Sequence, residues 1–132
     1  MQRQVISTLV LIMALGFGCL RQETQRTLAG RLSAADRVIV VNAADGATLT
    51  INDEQLKKLV QAIGASQKLP ASKTITATPG FTLVFFRAHE HLAVVPTGAE
   101  LVFYIGKKAY EDRSGTLRAV CERFWLAHPS SR

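Results

Sequence analysis

The sequence predicts one α+β domain, a two-layer sandwich in which an antiparallel sheet of about five strands carries two helices on one face. Three observations lead to this fold class. Turn signals join most of the predicted strands, an amphipathic helix follows the first hairpin, and a second helix lies near the end of the chain. The predicted element order is ββαβββα. Because strands joined by tight turns pair antiparallel, we expect both helices on the same side of the sheet.

The first hairpin and the first helix have clear sequence signals. Residues 37–51 contain a β-branched run, an Asp-Gly turn and a second strand that alternates with period two. Asn52 is expected to cap the helix that follows, with Gln55 completing a capping box. Apolar residues then recur at i, i+3, i+4 and i+7 as far as Ile63, and Gly64 is expected to end the helix.

The second half of the chain predicts a three-stranded meander followed by a helix. Residues 81–86 are apolar on both alternating faces, which is typical of a strand in the centre of a sheet. Residues 91–95 and 100–105 are predicted as the next two strands, each preceded by a turn. The last helix is expected to be capped by Asp112 or Ser114, and its apolar residues have helical spacing.

The composition is that of an ordinary folded domain with a basic surplus. The 132 residues include 16 Lys and Arg against 10 Asp and Glu, and 48% are hydrophobic. These values exclude a wholly disordered chain and a disulfide-stapled miniprotein. The basic residues are dispersed, and nucleic-acid binding would need a basic stripe interleaved with aromatic residues. We therefore expect no nucleic-acid partner.

The N-terminus has the pattern of an export signal. A short basic start is followed by an uncharged and mostly apolar run over residues 5–17, which is too short to cross a bilayer comfortably. The run ends in Gly16-Phe17-Gly18-Cys19, with small residues three and one positions before the cysteine. A signal peptidase can accept this pattern and cut just before the cysteine.

This N-terminus resembles a bacterial lipoprotein signal, in which the cysteine is diacylated and becomes the first residue of the mature chain. The resemblance implies that residues 1–18 are a signal peptide, that Cys19 is lipidated, and that the protein is attached to a membrane on the periplasmic side of the cell envelope. Two alternatives stay open. One is a soluble secreted or periplasmic protein, in which Cys19 could pair with Cys121, and the other is an uncleaved anchor.

Residues 19–36 are predicted as a tether between the membrane and a folded body over residues 37–128. The segment is polar with isolated leucines and has no sustained period. The alternative is that Leu28 and Leu32, four residues apart, dock a helical turn onto the body.

His89 and His91 are the candidate metal ligands. Residues two apart on a strand point to the same side, so both imidazoles could bind one transition-metal ion. Zinc needs about four ligands, and the third histidine, His128, lies in the C-terminal tail. A periplasmic metal-binding or metal-sensing module is therefore the alternative function, and two exposed hairpin residues are the simpler interpretation.

The sequence contains no pattern that indicates a catalytic site. It has no glycine-rich phosphate loop and no nucleophile elbow. Its paired acids stand at helix starts, where they favour the helix dipole. Cys121 is expected on the apolar face of the last helix, where a buried thiol behaves as a small hydrophobe. We expect neither enzyme activity nor a cofactor.

The candidate partner surface comprises Val84, Phe86, Val102 and Tyr104. Strand alternation places these residues on the sheet face that the two predicted helices leave uncovered, and an exposed apolar patch of this kind marks a partner surface. The alternative is that the tether or the 65–80 connection folds across this face. The sequence thus predicts an exported binding module whose partner is an envelope protein or an anionic polymer, and it leaves the oligomeric state open.

Overall fold

The fold is one antiparallel sheet with three helices, in a computed structural model that describes residues 24–70, 80–98 and 102–129. In chain order the described elements are α1 (Gln25–Leu32), β1 (Arg37–Asn42), β2 (Thr48–Ile51), α2 (Glu54–Ala65), β3 (Gln67–Lys68), β4 (Phe81–Arg87), β5 (Glu90–Thr97), β6 (Val102–Ile105), β7 (Lys108–Glu111) and α3 (Thr116–Ala127). The strand order is β2-β1-β4-β5-β6-β7-β3, and all neighbouring strands are antiparallel. No helix among these elements has the length and hydropathy needed to cross a bilayer.

The α+β class and the antiparallel sheet are confirmed, but the number of elements differs from the prediction. The described chain has seven strands instead of about five and three helices instead of two. Both residues of β3 are polar and exposed, so no hydrophobic alternation identifies this strand. β7 is only four residues long, which is too short to show a clear period. The predicted signal peptide over residues 1–18 and the predicted lipid site at Cys19 lie outside the described residues.

Helix α1 packs onto the folded body, which corrects the described part of the tether predicted over residues 19–36; residues 19–23 lie outside the described residues. Thr24 caps the helix: its hydroxyl accepts a hydrogen bond from the Thr27 amide at 3.3 Å, and the Thr24 amide donates to the Thr27 hydroxyl at 2.9 Å. Leu28 and Leu32 are buried in the core, as the docked helical turn predicts. Burying each leucine stabilises the docked position by about 2 kcal/mol.

The contact between α1 and α2 depends on Gly64. This residue was expected to end α2, but the helix continues to Ala65. A Cβ atom at position 64 would lie 3.0 Å from the Ala29 Cβ atom, so the glycine leaves the space that α1 occupies. Gln25 Nε2 also donates a hydrogen bond to the Ser66 carbonyl oxygen at 3.2 Å. Gly64 is therefore a packing residue instead of a helix terminator.

Aspartate side chains cap the two longer helices. Asp53 caps α2 by accepting a hydrogen bond from the Gln55 amide at 3.0 Å, so the cap lies one residue after the predicted Asn52. The N-cap residue of α3 is a glycine and has no side chain to offer. Asp112, one of the two predicted caps, accepts instead from the Leu117 amide at 2.8 Å. A short side chain with two acceptor oxygens thus satisfies the first turn of each helix.

Strand β4 lies at the centre of the sheet, as its apolar pattern predicts. It pairs with β1 on one side and with β5 on the other. Leu83 and Phe85 are buried in the core that the strands share with the helices. Phe81 meets α3, with its ring edge-on to Phe124 at 4.9 Å and to Trp125 at 5.3 Å between centroids. The alternate residues of β4 face the other side of the sheet, away from the helices.

Two hairpin turns contain a residue with a positive φ angle, one an alanine and the other a glycine, and together they allow a matched test of the turn conformations. Ala88 between β4 and β5 has φ +55°, and Gly106 between β6 and β7 has φ +62°. An L side chain in this left-handed region costs about 1 kcal/mol. We expect Ala88→Gly to raise the free energy of unfolding by about 0.5 kcal/mol and Gly106→Ala to lower it by about 1 kcal/mol. Urea denaturation measures both changes, and a shift of the same sign in the two variants would contradict the turn conformations.

Candidate functional site

The sheet face opposite the helices is the candidate functional site, and we call it the outer face. Cross-strand register builds it in rows: Ile39 of β1 pairs with Val84 of β4, and Val84 pairs with Val94 of β5. Val94 is 56% exposed. The apolar outer-face residues of the four central strands are Ile39, Val41, Val84, Phe86, Val94, Pro96, Val102 and Tyr104. The residues between them point into the core, because side chains alternate along a strand.

The four residues predicted as a partner surface lie on the outer face in two separate groups. Val84 and Phe86 belong to β4, Val102 and Tyr104 belong to β6, and β5 lies between these strands. Val94, which the prediction omits, occupies this intervening strand. The same alternation, extended to β5 and to the first hairpin, identifies the missing residues. Both segments contain neighbouring apolar residues that must face opposite sides.

Phe86 marks one end of the outer face. The Arg37 guanidinium carbon lies 4.6 Å from the Phe86 ring centroid, and the His91 ring meets the same ring edge-on at 4.6 Å. Asp36 accepts hydrogen bonds from Arg37 at 3.1 Å and from the Ala88 amide at 2.6 Å. A cation over an aromatic ring contributes about 0.5–1 kcal/mol at an exposed site. Arg37 and His91 thus pack against the Phe86 ring, and Asp36 ties Arg37 to the turn after β4.

Tyr104 marks the opposite end of the outer face. Its neighbour Phe103 pairs with Thr97, which pairs in turn with Phe81 at the start of β4. The Tyr104 ring lies over Gly98: a Cβ atom there would stand 2.6 Å from the tyrosine hydroxyl oxygen and 3.2 Å from two ring carbons. A side chain at position 98 would therefore displace the ring. The glycine is what allows Tyr104 to cover this end of the outer face.

The predicted histidine pair gains no third ligand within the described residues. His89 lies in the turn between β4 and β5, so the strand alternation that would align it with His91 does not apply. His91 packs against Phe86, whereas a ring nitrogen of His128 lies 2.7 Å from the Thr48 carbonyl oxygen. Thr48 and His91 are at opposite ends of the sheet. In the described part of the chain, no three potential metal-binding side chains come together.

Cys121 has the core position that the sequence predicts. It lies on the buried face of α3 with Leu117 and Phe124, and only 2% of it is exposed. A thiol buried in this position is not accessible to a substrate in solution. The cysteine therefore acts as a packing residue.

A concavity of about 550 Å³ lies between the end of α1 and the start of α2. Its acidic side chains already have partners. Asp53 accepts from the Gln55 amide and from Arg123 at 3.0 Å, and Asp36 binds Arg37. The hydrogen bond from the Gln55 amide lowers the pKa of Asp53, with a smaller contribution from Arg123, although partial loss of hydration opposes both. A carboxylate with a lowered pKa is poorly suited to proton transfer near neutral pH.

Comparison with protein-family models, curated protein sequences and solved structures finds no match for this chain. The outer face is therefore judged from its own geometry. It combines apolar side chains on four adjacent strands with an aromatic ring at each end, and patches of this composition are typical of interaction surfaces.

Adjacent residues of β5 test the assignment of the two faces. Val94 is 56% exposed on the outer face, and Val95 is 1% exposed in the core. We expect Val95→Ala to lower the free energy of unfolding by about 2 kcal/mol, because it leaves a cavity. Val94→Ala is expected to change the same free energy by less than about 0.5 kcal/mol. Urea denaturation compares the two variants, and equal losses would contradict the alternation of faces.

Proposed function

We propose that the chain is an exported, lipid-anchored protein of the bacterial cell envelope that binds a partner protein through the outer face and catalyses no reaction. The observation that carries this proposal is the apolar surface that extends over β1, β4, β5 and β6. The export signal and the lipid on Cys19 would place this surface in the envelope, where its partner would also be found.

The charge distribution favours a protein partner over an anionic polymer. In the described part of the four central strands, the outer-face side chains that can carry charge are Arg37 and His91, both beside Phe86. The other outer-face side chains of these strands, which lie on the sheet between the Phe86 and Tyr104 rings, are apolar or are threonine. An anionic polymer would need cations along its path, whereas a protein with its own apolar surface gains from burying this face, by about 25 cal/mol per Å².

The aromatic residues are suited to anchor the partner. Tyrosine and arginine are enriched among residues that dominate binding energy, especially where their orientation is fixed before binding. Arg37 and Phe86 are held by their mutual contact, and Tyr104 is held over Gly98. The partner would therefore contact an aromatic ring at each end of the outer face and aliphatic side chains between them.

The lipid anchor is tested by the intact mass of the protein purified from the membrane fraction of its own cells, with fragmentation of the N-terminal peptide. We expect a mature chain that begins with diacylated or triacylated Cys19, because the sequence resembles a lipoprotein signal. A Cys19→Ser variant should lack the added mass of the lipid and should not be cleaved just before residue 19. An unmodified chain that begins at Cys19 would contradict the lipid anchor but not export.

The partner surface is tested by placing a photoreactive amino acid at position 94 in the full chain and irradiating intact cells. Position 58, exposed on the polar side of α2, is the matched control. We expect a discrete protein adduct from position 94 and none from position 58. The adduct should be lost in a Phe86→Ser variant whose circular dichroism and unfolding midpoint confirm that it folds.

Three outcomes would contradict binding through the outer face. They are equal adducts from positions 94 and 58, an adduct to lipid alone, and an adduct that persists at the same yield in Phe86→Ser. A Val84→Ser variant repeats the test at a half-buried residue of the same surface, in case Phe86→Ser does not fold.

A further inference from the structure

Two lysines are neighbours at the β3–β7 edge of the sheet. Lys68 of β3 pairs directly with Tyr110 of β7, and Lys108 lies two residues before Tyr110 on the same strand. Lys68 and Lys108 are therefore diagonal neighbours on one face, about 7–8 Å apart between Cα atoms and within reach of each other's long side chains. This face is the one that carries the helices, since Tyr110 is buried and stacks on Phe103. Lys107, in the preceding turn, adds a third cation next to them.

The described residues supply no counter-charge for this group. Their ion pairs involve Asp36, Glu54, Glu111 and Asp53, and none includes Lys68, Lys107 or Lys108. Glu111, the nearest acid on β7, lies one residue beyond Tyr110 and thus on the opposite face, where it accepts from Arg113 at 2.9 Å. Among the residues that the structure describes, these like charges thus lie side by side without an ion pair that neutralises them.

The positive charge of Lys68 affects the ionisation of Lys108. The pKa of Lys108 is lowered, first by the charge of Lys68 and then by partial loss of hydration and a direct side-chain contact with Lys68. Burial raises the pKa of Tyr110, so this phenol stays neutral and contributes no negative charge. A bound anion would relieve the repulsion between the lysines, which is the condition for favourable binding of a phosphate group.

The lysines lie close to the point where the chain leaves the body towards Cys19. Gln25, at the start of α1, bonds to the carbonyl oxygen of Ser66, which lies two residues before Lys68. Thr24 is five residues after Cys19 in the sequence, and five residues span at most about 18 Å. An acyl chain on Cys19 would therefore hold this edge of the sheet within reach of the lipid headgroups.

From this arrangement we infer that Lys68 and Lys108, assisted by Lys107, bind the phosphate groups of anionic phospholipid headgroups and fix the β3–β7 edge against the membrane. The inference rests on the proposed function, because the lipid on Cys19 is what brings the lysines to the headgroups. Each lysine near an anionic surface strengthens attachment several-fold, and the effect falls off within a Debye length. The anchor and the lysine pair would together fix the orientation of the domain.

The test uses the full mature polypeptide, residues 19–132, made without the lipid, so that its result does not depend on acylation in the cell. Co-sedimentation with vesicles of phosphatidylcholine, with and without phosphatidylglycerol, measures the ratio of bound to free protein. We expect binding to the anionic vesicles only, and a roughly 30-fold weaker ratio for Lys68→Gln/Lys108→Gln. The matched control, Lys57→Gln/Lys58→Gln, removes the same charge from an exposed side of α2 and is expected to change the ratio less than about twofold.

The outcomes separate this inference from the proposed function. Equal losses in the two double variants, equal binding to both vesicle types, or no binding would overturn the lysine site. Shifts of the Lys68 and Lys108 resonances by inorganic phosphate without vesicle binding would show a free-ion site and would also overturn it. Vesicle binding that depends on Lys68 and Lys108 supports the inference even if the intact mass shows no lipid on Cys19, and in that case the lipid anchor alone fails.

Discussion

The pairing of β1 with β4 is the interaction on which the rest of the structure depends. Val38 lies opposite Phe85 and Val40 opposite Leu83, and all four side chains are almost completely buried. This pairing joins the first hairpin with α2 to the meander with α3. Each of these halves alone would expose one side of its core, and a single two-stranded hairpin is only marginally stable in water. The contacts of Phe81 with α3 complete the same core from the other half.

The central pairing also creates the outer face. β1 and β4 are apolar on both sides because strands inside a sheet must pack in both directions. In the described residues the three helices cover one side of the sheet, and the apolar residues of the other side form the outer face. Arg37 packs over the Phe86 ring and the Tyr104 ring packs over Gly98, and these contacts restrict the two aromatic side chains. A surface whose side chains are ordered before binding loses less entropy when it is buried.

The elements that could be predicted from the sequence are those whose formation depends mainly on their own residues. The capped amphipathic helix α2 and the doubly apolar strand β4 have local signals, and both were predicted close to their observed positions. α1 has only two buried leucines and a cap made of two threonines, and its stability comes from docking against Gly64 on another helix. β3 has no apolar residue at all and exists because β7 offers an edge to pair with. Neither the docking partner nor the free edge can be seen in the segment itself.

In the candidate site, too, some features depend on one strand alone and others depend on contacts between strands. Alternation along β4 and β6 is a property of each strand alone, and it puts Val84, Phe86, Val102 and Tyr104 on the side of the sheet away from the helices. The aromatic contacts at the Phe86 end could not be predicted, since they depend on the register between β1, β4 and β5.

The positions of Lys68 and Lys108 at the β3–β7 edge, close to the start of α1, depend on two contacts between distant segments. These are the pairing of β3 with β7 and the hydrogen bond from Gln25 to the Ser66 carbonyl oxygen. This geometry makes the two proposed surfaces compatible. The β3–β7 edge lies at one side of the sheet, whereas the outer face spans the central strands. A domain held to a membrane by that edge would leave the outer face directed along the membrane plane, where a neighbouring envelope protein could reach it.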